Sequence, residues 1–143
     1  MTNLAAAPAT TTAPARSRRA RIALTTTTVV LAAFFALASA LPKLFAVSAA
    51  VDSFETIGWG ATGMYVIGAL ELAGAVALLV PVLSGVAPIA LGALMIGACV
   101  TQIVSFGGEN AATPLLLLIP LGILARARRD RNRELLALVR RGA

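Results

Sequence analysis

Apolar runs long enough to cross a lipid bilayer make up most of this chain. Residues 22–41 and 86–106 carry no charge, and residues 57–83 are interrupted only by Glu71. A helix of about 20 apolar residues covers a hydrocarbon core that is ~30 Å thick. Backbone groups inside a bilayer must satisfy their hydrogen bonds within the protein, and a helix does so along its own length. The sequence therefore predicts an all-α integral membrane protein.

Composition supports this class and excludes several kinds of active site. Of the 143 residues, 59% are hydrophobic and 13% are charged, whereas about half and about a quarter are typical of soluble domains. The chain has no histidine and a single cysteine, Cys99. These counts exclude a Ser-His-Asp triad, a histidine-ligated haem, an intramolecular disulfide and a cysteine-based metal centre. We expect no catalytic residue, no metal site and no intrinsic cofactor.

A fourth apolar run completes the predicted membrane domain. It covers residues 111–125 and is followed by Arg126 and Arg128, whose long side chains can reach the headgroups and so lengthen a short span. We therefore predict one membrane domain, a four-helix bundle over residues 22–125. Its spans are predicted at about 22–41, 62–83, 86–106 and 111–127.

Basic residues flank this domain on both sides. Four of the twelve Lys and Arg residues lie in 16–21 and five lie in 126–133, and the net charge is +6. Positive charges beside membrane helices are typical of the cytoplasmic side and of contact with anionic lipids. We therefore predict a multi-pass protein of the cell membrane with both termini cytoplasmic, and we expect the bilayer, not nucleic acid, as its partner.

The two ends of the chain lack the long apolar runs of the membrane domain. Residues 1–21 are rich in Ala, Thr, Pro and Arg, and such a segment buries too little apolar surface to offset the entropy of ordering. We predict a disordered basic tail there and a basic cytoplasmic tail at 128–143. In the second tail Leu135, Leu138 and Val139 share one helical face, which indicates either a helix on the membrane surface or a frayed extension of the last span.

The first run also has features of a cleaved signal peptide. Residues 16–21 would be its positive region, and residues 38–40 form an Ala-Ser-Ala sequence that resembles a cleavage site. Against this, the run has about 20 residues, whereas the apolar region of a signal peptide has about 7–15. We favour a retained membrane helix, and cleavage is the alternative that would leave three spans.

Glu71 is the most informative polar residue of the membrane domain. Inserting an acidic residue at the centre of a membrane helix costs roughly 2.5–3.5 kcal/mol, so such residues face the bundle interior. Its neighbours one turn away include Gly68, Gly74 and Ala75, which allow another helix to approach closely. Two roles are open for Glu71: a proton or ligand site, and hydrogen bonding between helices.

Other polar residues belong to the same predicted outer half of the bundle. Lys43 follows the first span and either pairs with Glu71, directly or through a bridging group, or extends to the headgroups. Tyr65 and Gln102 lie near the outer ends of the next two spans. Polar groups that converge in an apolar bundle are typical of a small-molecule pocket, although they also link helices and anchor interfaces. We predict a ligand-binding site formed by Lys43, Tyr65, Glu71 and Gln102.

Three segments of the chain resemble the DoxX-like family of small bacterial membrane proteins. They are ALPKLF at 40–45, GMYVIGALELAG at 63–74 and LGALMIGA at 91–98. The resemblance covers about residues 22–125, and it assigns the lysine and the glutamate of the family pattern to Lys43 and Glu71. It implies a four-helix protein of the bacterial inner membrane.

The same resemblance implies a function. Some members of the family are linked to membrane oxidoreductase complexes and to quinone-dependent oxidation, so we expect a subunit or scaffold that supports a redox or quinone-linked process without catalysis of its own. A quinone would be the bound cofactor, and redox proteins or a second copy of the chain would be partners. The alternative is a small proton-coupled transporter or exporter that uses Glu71.

Overall fold

The computed structural model describes residues 18–130 together with residues 132, 137, 139 and 140. Within these residues every regular element is a helix, and the helices pack as a bundle. The predicted all-α class is confirmed. The N-terminal tail lies almost entirely outside the described residues, as do Leu135 and Leu138, so the predicted surface helix stays a prediction.

Five helices follow one another in the described part of the chain. Three of them, α1, α3 and α4, are long and apolar enough to cross a membrane, and α5 is a shorter apolar helix of 16 residues. We call the end of the bundle where α1 finishes the Lys43 end, and the opposite one the arginine end. The helices are α1 (Arg18–Leu44), α2 (Ser48–Thr56), α3 (Gly60–Leu79), α4 (Ala87–Phe106) and α5 (Ala112–Ala127).

Helix α1 continues past a proline because its hydrogen-bond pattern changes first. Pro42 lacks an N–H group and cannot bond to the carbonyl of the preceding turn. Residues Phe34–Ala40 form a π-helical segment, in which bonds run from each N–H to the fifth residue before it. The N–H of Leu41 accordingly donates to the carbonyl of Ala36. This wider turn accommodates the proline, and a last α-helical turn then carries Lys43 over α3.

Helix α3 is the centre of the bundle and packs against α1, α2 and α4. Two of its glycines make these approaches close. A Cβ atom at Gly68 would lie 3.0 Å from the Cβ of Lys43, and one at Gly74 would lie 2.5 Å from Leu91 Cδ2. Small residues are the usual means by which membrane helices come together. Glycine at these two positions therefore sets the distance from α3 to α1 and to α4.

The apolar core occupies the part of the bundle nearer the arginine end. Phe35, Leu91 and Leu124 are completely buried there, and four helices contribute to the cluster. Because this core fills one half of the bundle, the polar residues of the other half line a less densely packed space. The buried core residues are Leu31, Ala32, Phe35, Ala75, Leu78, Ala87, Leu91, Met95, Leu121 and Leu124.

Arg128 ties three parts of the chain together at the arginine end. Its guanidinium donates to the hydroxyl of Thr28 in α1 and to the carbonyls of Leu78 and Ser84, each at 3.4 Å. The Leu78 carbonyl belongs to the last turn of α3, where no N–H of the helix is available to it. A positive charge at this position also interacts favourably with the helix dipole. Arg128 thus stabilises the turn between α3 and α4.

Candidate functional site

Lys43 and Glu71 form a direct ion pair between α1 and α3. Lys43 Nζ lies 2.8 Å from Glu71 Oε2, and the two side chains are 18% and 4% exposed. The same ammonium donates to Ser39, at 2.9 Å from its carbonyl oxygen and 3.2 Å from its hydroxyl. Of the arrangements considered for Lys43, the structure therefore shows the direct contact with Glu71.

A cavity of about 600 Å³ lies beside this ion pair. Its volume is within the range of about 300–1,000 Å³ that is common for small-molecule sites. The wall is mainly apolar, and all five helices contribute to it. Its polar side chains come from all five helices and one loop: Ser39, Lys43, Ser53, Glu71, Thr101, Gln102, Asn110 and Thr113.

Gln102 contributes an unusual polar atom to this wall. Its side-chain oxygen Oε1 is buried and has no hydrogen-bond partner among the described residues. Leaving a buried acceptor without a partner costs about 1–3 kcal/mol. Such atoms call for an explanation in a native structure, and a hydrogen-bond donor on a molecule in the cavity would supply one.

Comparison with known proteins identifies the family. The model of the DoxX-like family matches residues 26–124, which include α2, α3 and α4 in full and most of α1 and α5. The chain belongs to the DoxX-like family. No curated protein and no solved structure matches it. The resemblance found in the sequence is thereby confirmed, and this DoxX-like protein is a multi-pass membrane protein.

Three of the four residues predicted for the site line the same cavity of the DoxX-like protein. They are Lys43, Glu71 and Gln102. The fourth, Tyr65, is 44% exposed and does not line the cavity. Tyr65 precedes Glu71 by six positions, and at 3.6 residues per turn this separation places the two side chains about 120° apart around α3. The structure thus separates Tyr65 from the other three residues.

Sequence reasoning missed the contribution of α2 to the site. The predicted spans leave residues 42–61 without a helix, yet Ser48–Thr56 is helical. Ala50, Phe54 and Ile57 line the cavity, and their spacing of four and three residues is typical of one helical face. Phe54 also contacts Trp59, with ring centroids 6.4 Å apart. These side chains cover the cavity at the Lys43 end.

The described residues offer nothing that would hold a metal ion. Within them, no group of three or more His, Cys, Asp or Glu side chains is arranged for coordination. Cys99 is half-buried, and its thiol contacts the carbonyl of Ala111 at 3.9 Å without lining the cavity. The cavity of the DoxX-like protein thus combines a mainly apolar wall with one ion pair and one buried amide oxygen.

Proposed function

We propose that this DoxX-like protein binds a quinone in the cavity and serves as a membrane subunit or scaffold of a redox process. The observation that carries the proposal is the buried oxygen of Gln102, which has no partner within the described residues and belongs to the wall of a cavity large enough for a small molecule. A hydroquinone hydroxyl group would donate to this oxygen. A quinone also dissolves in the bilayer in which the protein lies.

The polar groups of the cavity suit both redox forms of such a ligand. The amide of Gln102 carries an acceptor oxygen and a donor nitrogen, so rotation of the amide presents either a partner for a hydroxyl or a donor to a quinone carbonyl. Oxidation of a hydroquinone releases two electrons and two protons. The carboxylate of Glu71 lines the same cavity, is held in a fixed position by Lys43, and would accept a hydrogen bond from the second hydroxyl of the hydroquinone. Both protons would pass to the redox partner together with the two electrons.

The electrons require a second protein. The chain has no histidine and one cysteine, so it supplies neither a haem ligand pair nor a dithiol of its own. A redox partner would therefore donate or accept the two electrons, and the DoxX-like protein would hold the quinone. This need for a partner supports the role of a subunit rather than that of an independent enzyme.

Fluorescence of the single tryptophan tests this proposal. Trp59 lines the cavity, and quinones quench tryptophan emission at short range. We would titrate decylubiquinone into the purified protein and into the Gln102→Leu variant, with Tyr65→Phe as the control for a polar change outside the cavity. We expect saturable quenching by the wild type, an affinity about tenfold weaker for Gln102→Leu, and no change for Tyr65→Phe.

Two results would contradict the proposal. Quenching that never saturates would show that the quinone only dissolves around the protein. Saturable quenching with the same affinity in Gln102→Leu would show that the quinone binds without the Gln102 amide. The observation that supports the site would then have no part in binding.

A proton-coupled exporter that uses Glu71 is the alternative function. Such a mechanism needs the carboxylate to exchange its proton for cargo. In this chain Glu71 is 4% exposed and lies 2.8 Å from Lys43, so a proton or a cargo molecule would reach the carboxylate only after this contact is broken. We therefore rank the exporter below the quinone-binding subunit. Uptake of protons coupled to efflux in vesicles containing the protein alone would reverse this order.

A further inference from the structure

Some residues that line the cavity are also exposed on the side of the bundle. They include Phe34 and Ala38 of α1 and Ala93 and Gly97 of α4. At 1.5 Å per residue, their positions lie about 9–20 Å from the ends of α1 and α4 at the Lys43 end. In helices that cross a bilayer this depth is hydrocarbon. These exposed wall residues therefore face lipid tails and not water.

The contacts between helices leave the same side of the bundle open. The first part of α1, Arg18–Ala33, contacts both α3 and α5, whereas the part from Phe34 to Leu44 packs on α3 and has no extensive contact with α4 or α5. The four helices α1, α3, α4 and α5 therefore surround a closed core near the arginine end. Toward the Lys43 end they leave a gap in the wall of the bundle. The gap lies between α1 on one side and the packed pair of α4 and α5 on the other, with Ala93 and Gly97 of α4 at its edge.

Apart from Phe34, the named edge residues of this gap carry little side-chain bulk, and none of them is charged. Ala38, Ala93 and Gly97 are among the smallest residues, and a Cβ atom at Gly97 would find no other atom within 4 Å. An apolar opening at this depth suits a hydrocarbon chain. A charged or strongly polar group would find no hydrogen-bond partner there, because water does not enter the hydrocarbon layer.

From these observations we infer that the cavity opens sideways into the bilayer between α1 and α4. Its ligand is a long-chain quinone that enters from the hydrocarbon layer. The head group lies at Gln102, and the tail extends outward between Ala38 and Gly97. This inference rests on the proposed quinone binding and adds the route of access and the position of the tail.

A matched pair of glycine substitutions tests the opening. Gly97→Leu places a side chain in the gap. Gly122→Leu is the control, because Gly122 of α5 is also exposed, its added Cβ atom would also meet nothing within 4 Å, and it does not line the cavity. From the side of α1, Ala38→Leu fills the gap, and Ala33→Leu changes an exposed alanine that does not line the cavity. Thermal unfolding of each variant verifies that it folds.

Each variant in lipid nanodiscs would be titrated with two quinones while Trp59 emission is recorded. One is decylubiquinone, and the other is 2,3-dimethoxy-5-methyl-1,4-benzoquinone, which has the same head group and no tail. For Gly97→Leu and Ala38→Leu we expect affinity for the tailed quinone to fall about tenfold, with the tail-less quinone changed by less than about twofold. Both control variants are expected to keep both affinities within about twofold.

The possible failures are distinguishable. If the wild type binds neither quinone, the proposed function is wrong and this inference falls with it. If the wild type binds both but Gly97→Leu and Ala38→Leu weaken neither, or weaken both quinones equally, the lateral opening is wrong while quinone binding stands. If mass spectrometry instead finds one phospholipid per chain that Gly97→Leu removes without affecting the tailed quinone, the gap holds a lipid and the assigned tail position is wrong.

Discussion

Glu71 accepts a hydrogen bond from Lys43 at 2.8 Å, across 28 positions of the chain and between two membrane helices. The two partners are not equally buried, since the lysine side chain is 18% exposed and the glutamate 4%. If the pair is broken, an ammonium at the end of α1 can still extend toward the headgroups. The Glu71 carboxylate, within α3, cannot reach the headgroups in this way.

This asymmetry predicts the outcome of a double-mutant cycle. We expect Lys43→Met to reduce the free energy of unfolding by about 3 kcal/mol, because it leaves a buried carboxylate without its partner. Glu71→Gln keeps an acceptor for the ammonium and should cost less. The Lys43→Met/Glu71→Gln double variant should be more stable than the sum of the single losses predicts, with a coupling of about 1–3 kcal/mol. Unfolding in mixed detergent micelles measures the stability of all three variants. If the two single losses simply add in the double variant, the contact between Lys43 and Glu71 contributes no stability.

The close approach of α3 and α4 predicts that Gly74→Ala is destabilising. The added methyl group would lie 2.5 Å from Leu91 Cδ2, and Leu91 is completely buried and has little room to move. Overpacking of this kind costs about 1–3 kcal/mol. The control is Gly122→Ala, where the new methyl group meets nothing within 4 Å; there the higher helix propensity of alanine should leave stability equal or slightly higher. Equal melting temperatures for the two variants would contradict the packing described.

The contacts of Arg128 predict a specific loss at the arginine end. Arg128→Ala removes the donor to Thr28 and to the carbonyls of Leu78 and Ser84, and hydrogen bonds to charged groups are worth about 1.5–3 kcal/mol. We expect a loss of about 2–3 kcal/mol in unfolding free energy. Arg129→Ala removes the same charge from an exposed neighbour and should change stability by less than about 0.5 kcal/mol. A similar loss in both variants would assign the effect to net charge.

The core packing of α1 predicts that the first span is not cleaved after Ala40. Phe35 is 0% exposed and Leu31 is 4% exposed, and both belong to the main apolar cluster. Cleavage would remove them together with Thr28, a partner of Arg128. Loss of a single large core side chain costs about 2–5 kcal/mol, so a protein without α1 should not keep this bundle. Intact mass of the purified membrane protein should include residues 1–40, and a mature N-terminus at Leu41 would contradict the prediction.

Charge distribution predicts that both termini are cytoplasmic. Reporter fusions at residues 15 and 135 should both show green fluorescence and no alkaline phosphatase activity, because arginine clusters at 16–21 and 126–133 resist transfer across the membrane. A fusion in the α1–α2 connection should show the reverse. Opposite signals at the two termini would mean that the shorter helix α5 does not cross the bilayer.

The composition of the site could be predicted only in part from the sequence. Glu71 was identifiable because a carboxylate in an apolar helix must face other helices, and the family pattern indicated Lys43. The sequence left the direct contact between them as one of several arrangements, because it needs α1 to remain helical past Pro42, which the π-helical segment Phe34–Ala40 allows. Tyr65 shows what the position along a helix leaves open: it belongs to the same half of the bundle as the cavity but lies on another face of α3.

The sequence by itself determined the features that the bilayer imposes on any apolar chain. Apolar runs of about 20 residues must become helices there, whatever their neighbours are, so the helical class and the positions of α1, α3 and α4 follow from the order of residues. The tertiary structure decided how these helices meet. The Lys43–Glu71 pair, the burial of the Gln102 oxygen and the gap between α1 and α4 depend on contacts between residues far apart in the chain. Such contacts depend on the sum of many small packing energies between different helices. The sequence of a single segment therefore does not predict them.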